Sequence, residues 1–161
     1  MALQARKSPR LRSAAFARAG VVAAVVVGLD QLTKHAITAG IDPGEHRNLV
    51  LGIKLVHVRN KGVAFGFFSG GGTVVLVFTL VALVALIGYL ALRPERRWLW
   101  LPTGMLIGGA LGNLIDRLVN GAVTDFIKLP LWPAFNVADT SITLGVLVLV
   151  WVLEGPRRGR R

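Results

Sequence analysis

Four long apolar runs divide this chain, at residues 19–38, 73–92, 98–115 and 137–153, and each approaches the roughly 20 residues a helix needs to cross the hydrocarbon of a bilayer. Inside lipid the backbone must satisfy its own hydrogen bonds, so runs of this length read as helices. The second run carries no charge, whereas Asp30, Gln31 and Lys34 interrupt the second half of the first. Composition agrees, because 53% of the 161 residues are hydrophobic and the mean hydropathy is +0.61, above an ordinary soluble domain. The expected fold class is an all-α membrane protein, a single integral membrane domain spanning 1–161 with four transmembrane helices.

Orientation follows from where the 19 basic residues lie, counted connection by connection. Arg6, Lys7, Arg10, Arg12 and Arg18 fall in 1–18, Arg93, Arg96 and Arg97 follow the second run, and Arg157, Arg158, Arg160 and Arg161 fall in 154–161. These regions share one side only if the number of crossings is even. Both basic tails are therefore expected in the cytoplasm, with 39–72 and 116–138 facing outward. The net charge of +11 is read as this topology signal, satisfied by anionic lipid headgroups, and implies no nucleic-acid partner. A basic start before an apolar run also fits a cleavable signal peptide, but no small-residue cleavage site follows Leu29, so the first run is read as a retained anchor.

The outward segment 39–72 is too long for a turn and too apolar for a linker. Within it, 49–58 is rich in branched residues broken by Gly52, Lys54 and His57, a pattern of short strands. A small extracytoplasmic β-rich platform between helices 1 and 2 is the expectation. Asn60-Lys61-Gly62 reads as a turn, and 63–68 as an aromatic stretch at the membrane interface. In the third run Gly104, Gly108 and Gly112 recur at a spacing of four and form one stripe suited to close helix contact. Asn113, Asp116 and Arg117 share a helix face; for Asp116 and Arg117 the plainer reading is a pair of interfacial charges at a helix end.

Cysteine is absent, which removes disulfides, thiolate metal sites and a cysteine nucleophile. Chemistry must then come from oxygen and nitrogen groups. Asp125 is embedded between Gly121-Ala122-Val123-Thr124 and Phe126-Ile127, and Asp139 opens the fourth run in Phe135-Asn136-Val137-Ala138-Asp139-Thr140. Ionisable residues at membrane depth are costly and by default mark function. Taken alone, Asp139 reads as a helix cap. Taken together, two nearby aspartates do not both ionise easily, so one keeps a proton while the other acts as a base toward a water between them. That pair hydrolyses peptides with neither metal nor cofactor, and either carboxyl can hold the proton.

The blocks Asp30-Gln31-Leu32-Thr33-Lys34, Asn60-Lys61-Gly62-Val63-Ala64-Phe65, Gly112-Asn113-Leu114-Ile115-Asp116-Arg117, Val123-Thr124-Asp125-Phe126 and Phe135-Asn136-Val137-Ala138-Asp139 resemble, in order, those of the lipoprotein signal peptidases, or signal peptidase II. The resemblance implies an aspartic endopeptidase of the bacterial cytoplasmic membrane, working as a monomer among membrane lipids with its site toward the outer face. Its substrate is implied to be a prolipoprotein with a diacylglyceryl-cysteine, cut before that cysteine. It implies Asp125 and Asp139 as the catalytic dyad, Asn60, Asn113, Arg117 and Asn136 as substrate-binding or dyad-orienting residues, and Asp30, Lys34, Gly62 and Asp116 as structural motif positions. One departure is the link from Asp125 to Asp139, a separation of 14 positions that is short for the family and contains Pro130 and Pro133.

Two other classes remain in view. A channel or transporter component would use the aspartates as an ion relay, yet no inverted internal repeat accompanies them. A membrane scaffold would use only the glycine stripe.

Overall fold

The computed structural model describes residues 9–61 and 71–154. Its elements run in the order α1 (Pro9–Gly40), β1 (His46–Asn48), β2 (Lys54–Asn60), α2 (Gly71–Leu92), α3 (Trp100–Asn120), β3 (Val123–Lys128) and α4 (Val137–Glu154). The molecule is mostly helical, with one small antiparallel sheet ordered β1-β2-β3. Gly62 and the aromatic stretch 63–68 lie outside the described residues.

The helices outrun the apolar runs that announce them. α1 begins within the basic tail, since Arg10, Arg12, Ala14, Ala15 and Arg18 all favour helix and no breaker intervenes. α3 continues past residue 115 and carries Asn113, Asp116 and Arg117 as helical residues. It ends where Gly121, at φ 69°, donates its N–H to the Arg117 carbonyl at 3.1 Å, a left-handed stop that glycine adopts without strain. Among the described residues, α1 and α4 are long and apolar enough to cross a membrane, and 79–92 of α2 forms a shorter apolar stretch.

One end of the bundle is closed by apolar contacts. Ala15 and Ala19 from the start of α1, Leu86 and Leu90 from the end of α2, Leu99 before α3 and Val152 near the end of α4 form one buried cluster. Arg96 seals it by donating to the carbonyls of Val152 at 2.7 Å and Leu153 at 2.5 Å. Both described chain ends and the arginine-rich connection therefore meet at the end of the bundle away from the sheet. The glycine stripe makes the close helix contact expected of it, and its partner is α1: a Cβ on Gly104 would lie 2.6 Å from the Ala19 carbonyl, and one on Gly108 2.7 Å from Val26 Cβ. Gly109, one position off the stripe, gives the same close approach to the Ala138 carbonyl in α4.

The sheet differs from expectation in its third strand. β1 and β2 come from the segment between α1 and α2, joined by a tight turn through residues 49–53 in which Leu51 and Gly52 both have positive φ, 55° and 77°. β3 comes instead from the short link between α3 and α4, so the platform is not built between helices 1 and 2 alone. Asn60 is the last residue of β2, paired with Val123, and not a turn residue. Its position is fixed by that pairing.

Candidate active site

Asp125 reaches its place through two constraints. The left-handed stop at Gly121 turns the chain from α3 directly into β3, and pairing with β2 sets the register Val58↔Asp125, Asn60↔Val123. Its side chain is 2% exposed. Oδ2 accepts from Asn60 Nδ2 at 2.9 Å, and Oδ1 accepts from Asn136 Nδ2 at 2.8 Å. Burial pushes the Asp125 carboxyl up to about 6; the neighbouring Asp139 adds to the rise, and the Asn60 and Asn136 amides and the Lys34 charge act against it.

Asp139 is positioned by the way α4 begins. Asn136 precedes the helix, and its Oδ1 accepts the Asp139 N–H at 2.8 Å while Asp139 Oδ2 accepts the Asn136 N–H at 3.3 Å. This is a reciprocal capping box. The capping role that the sequence suggests for Asp139 is therefore present, with Asn136 as the leading partner. The other carboxylate oxygen, Oδ1, accepts from Asn113 Nδ2 at 2.8 Å. A helix N-terminus supplies partial positive charge to a carboxylate placed there.

Asn113 and Asn136 join the two acids. Asn136 Nδ2, besides its bond to Asp125, lies 3.1 Å from Asn113 Oδ1 and 3.3 Å from the Thr124 carbonyl. Asn113 Oδ1 also accepts from Lys34 Nζ at 3.2 Å. Asn136 is fully buried and Asn113 is 7% exposed, so this network exchanges little with water and holds its geometry. Among the described residues, every buried side-chain nitrogen and oxygen has a partner.

Beneath it sits a buried ion cluster. Lys34 Nζ lies 2.7 Å from Asp30 Oδ2 and 3.0 Å from Asp116 Oδ2, and all three side chains are nearly inaccessible. Asp30 Oδ1 accepts the Ala138 N–H at 2.9 Å, so a residue of α1 satisfies the first turn of α4. Asp116 Oδ2 also accepts the Thr124 N–H at 2.9 Å, tying α3 to the strand that carries Asp125. Asp116 is thus a buried member of the support, not the interfacial charge its sequence position suggests. Gly112 makes the arrangement possible, since a Cβ there would lie 2.6 Å from Asp30 Oδ2.

The structure therefore gathers Asn60, Asn113, Asp125, Asn136 and Asp139 into one network, with Asp30, Lys34 and Asp116 directly behind it. Arg117 is exposed, and its hydrogen bond goes to the Asn113 carbonyl at 3.2 Å and to neither aspartate. Two contributors escaped the sequence reading. Gln31 Nε2 lies 3.1 Å from Asp116 Oδ1 and 3.2 Å from the Gly112 carbonyl, and its signal is an amide beside Asp30 in the polar break of the first run. The Thr124 N–H has no side-chain signature at all. A polar cavity of about 410 Å³ beside the cluster is lined by Gln31, Lys34, His57, Arg59, Asp116 and Thr124 among others, and by neither Asp125 nor Asp139. No three metal-ligating side chains come together among the described residues.

This fold is shared with bacterial membrane enzymes. Two solved enzymes of that description superpose with TM-scores of 0.73 and 0.74, at 33% and 30% identity, covering 85% and 89% of this chain and 92% and 94% of theirs. Residues 22–153 match the signal peptidase (SPase) II family. The lipoprotein signal peptidase of Moorella thermoacetica is 42% identical across 84% of this chain and 92% of its own, and that of Azoarcus sp. strain BH72 is 43% identical across 81% and 79%. The chain belongs to the signal peptidase II family, and membership makes it a peptidase.

Proposed function

We propose that this protein is an intramembrane aspartic endopeptidase that removes the signal peptide from diacylglyceryl-modified bacterial prolipoproteins, cutting before the lipidated cysteine. The observation that carries the reading is the convergence of Asp125 and Asp139, from a strand and a helix, on Asn136, which bonds to both and to the Asn113 that also holds Asp139, close enough for the charge of one acid to bear on the other. Family membership supports the substrate class, since the relatives are lipoprotein signal peptidases. The four helices are read as four crossings of the cytoplasmic membrane, with both termini in the cytoplasm and the sheet over the outer leaflet.

In this reading Asp125 holds the proton and Asp139 is the base. Asp125 lies in a buried setting that raises its affinity for a proton, while Asp139 accepts N–H donors at a helix N-terminus. Asp139 takes a proton from a water held between the two, and the resulting hydroxide attacks the scissile carbonyl. Asp125 gives its proton to the developing oxyanion. As the tetrahedral intermediate collapses, Asp139 gives its proton to the departing amine of the lipidated cysteine and Asp125 takes back the hydroxyl proton, which returns both carboxyls to their starting states. Asn60 and Asn136 keep Asp125 aimed at that carbonyl. Arg117, exposed beside the network, is assigned to carbonyl groups of the substrate chain. The acyl chains stay in lipid while the peptide enters sideways, which suits a single chain with no cofactor.

The test is cleavage by purified protein of one prolipoprotein prepared with and without its diacylglyceryl group, read by product mass. Cleavage of the modified form alone, at the bond before cysteine, is expected. Equal cleavage of both forms, or of neither, would sink the substrate assignment.

A further inference from the structure

Lys34 is 4% exposed and its ammonium is committed to Asp30, Asp116 and Asn113, so that it holds one end of the hydrogen-bond chain that leads to Asp139. An ammonium donates in every direction and accepts in none. Asn113 must therefore turn its Oδ1 toward Lys34, where that oxygen also faces the Asn136 amide. The rest follows by elimination, because an amide has one oxygen and one nitrogen. With Oδ1 committed to Lys34 and Asn136, Asn113 Nδ2 is left to donate to Asp139 Oδ1 at 2.8 Å. A flipped Asn113 would set its NH₂ against two donors and its oxygen against a carboxylate.

Resting on the peptidase reading, we propose that Lys34 is a positioning residue, whose charge fixes the direction of the Asn113 amide so that the Asp139 carboxylate receives an N–H and not an oxygen. Asp30 is the second half of the device. It neutralises Lys34 through Oδ2 at 2.7 Å while Oδ1 holds the Ala138 N–H at 2.9 Å, so the ion pair that orients Asn113 also anchors the helix turn on which Asp139 sits. α1 thereby sets both the place and the polarity of a base carried by α4. Asp116 links the same ammonium to the strand of Asp125.

The test is a double-mutant cycle on cleavage, built from Lys34→Met, Asn113→Ala and the pair, with thermal melting as the folding control. A residue that acts through another loses its effect once that other is gone. In the otherwise unchanged protein, Lys34→Met is expected to lower kcat by about 10- to 100-fold with KM within about threefold; in the Asn113→Ala background it lowers kcat by less than about threefold. Losses that multiply, or an unchanged kcat in Lys34→Met, overturn the proposal. If Lys34→Met does not fold, Lys34→Met with Asp116→Asn preserves the net buried charge and runs the same cycle against Asp116→Asn; failure of both to fold makes Lys34 a folding residue only and overturns the proposal equally. A readout without catalysis separates this from the peptidase reading: the Asn113 side-chain amide protons, followed by nuclear magnetic resonance, are expected to exchange slowly in the wild type and to lose protection in Lys34→Met. Unchanged protection contradicts the relay whether or not the protein cleaves prolipoprotein, and absent cleavage by the wild type contradicts only the peptidase reading.

Discussion

Asn136 does two things with one side chain: it donates to Asp125 and, by accepting the Asp139 N–H, caps α4. Asn136→Ala is therefore expected to lower kcat by at least about tenfold and to destabilise the fold by roughly 1–3 kcal/mol, from the lost cap and the unpaired buried carboxyl. Kinetics and melting on the same preparation check both, and a loss of activity with no loss of stability would contradict the shared role. Asp125 carries a pH signature. Its native carboxyl titrates at about 6, above the roughly 3.9 of an unfolded aspartate, so the native state binds this proton more tightly. That contribution to stability is complete below about pH 4 and lost as pH rises through about 6, to a total of roughly 3 kcal/mol. The melting difference between Asp125→Asn and wild type should thus shift in favour of the variant from pH 4 to pH 7. A difference flat across that range would contradict the buried setting assigned to Asp125.

Helix packing at the level of elements turns on glycines whose missing Cβ atoms make room for specific neighbours. Gly112→Ala would press a methyl within 2.6 Å of Asp30 Oδ2, and Asp30 cannot move away without releasing Lys34 and the Ala138 N–H. A loss of about 1–3 kcal/mol is expected, with reduced cleavage. Gly88→Ala in α2 meets nothing within 4 Å and should raise the melting temperature slightly, by helix propensity worth about 0.5–1 kcal/mol; the reverse order of the two would contradict this packing. Much at this scale was legible in the sequence: the apolar runs mark the helices, and a spacing of four puts Gly104, Gly108 and Gly112 on one face. β3 was not. Val123–Lys128 does not alternate apolar with polar residues, and its strand character comes from pairing with β2, a contact between residues more than sixty apart in the chain. Asn60 was misread for the same reason, since a local turn signal was overridden by a long-range ladder. Asp116 was misread because burial against Lys34 depends on how α1 and α3 cross.

For the whole molecule, the clustering of the start of α1, the 93–99 connection and the end of α4 at one end of the bundle matches the basic residues that the charge pattern assigns to the cytoplasm. In the proposed topology α1, with 32 residues and about 48 Å of helix against a hydrocarbon core of roughly 30 Å, projects from the bilayer at one end. Because the chain has no native cysteine, single introduced thiols report sidedness without background. Leu51→Cys at the hairpin tip is expected to react with an impermeant maleimide from outside the cell, while Ser13→Cys and Glu154→Cys react only after the membrane is opened; labelling of Ser13→Cys from outside would contradict the topology. The central claim is that one molecule hydrolyses its substrate with two aspartates and a water. Its most direct measurement is the turnover of a diacylglyceryl-modified prolipoprotein by purified, folded Asp125→Asn and Asp139→Asn variants beside the wild type. Loss of cleavage by at least about a thousandfold in each, with melting curves retained, is the result expected for an acid and a base that act as a unit. Substantial turnover by either folded variant would contradict it.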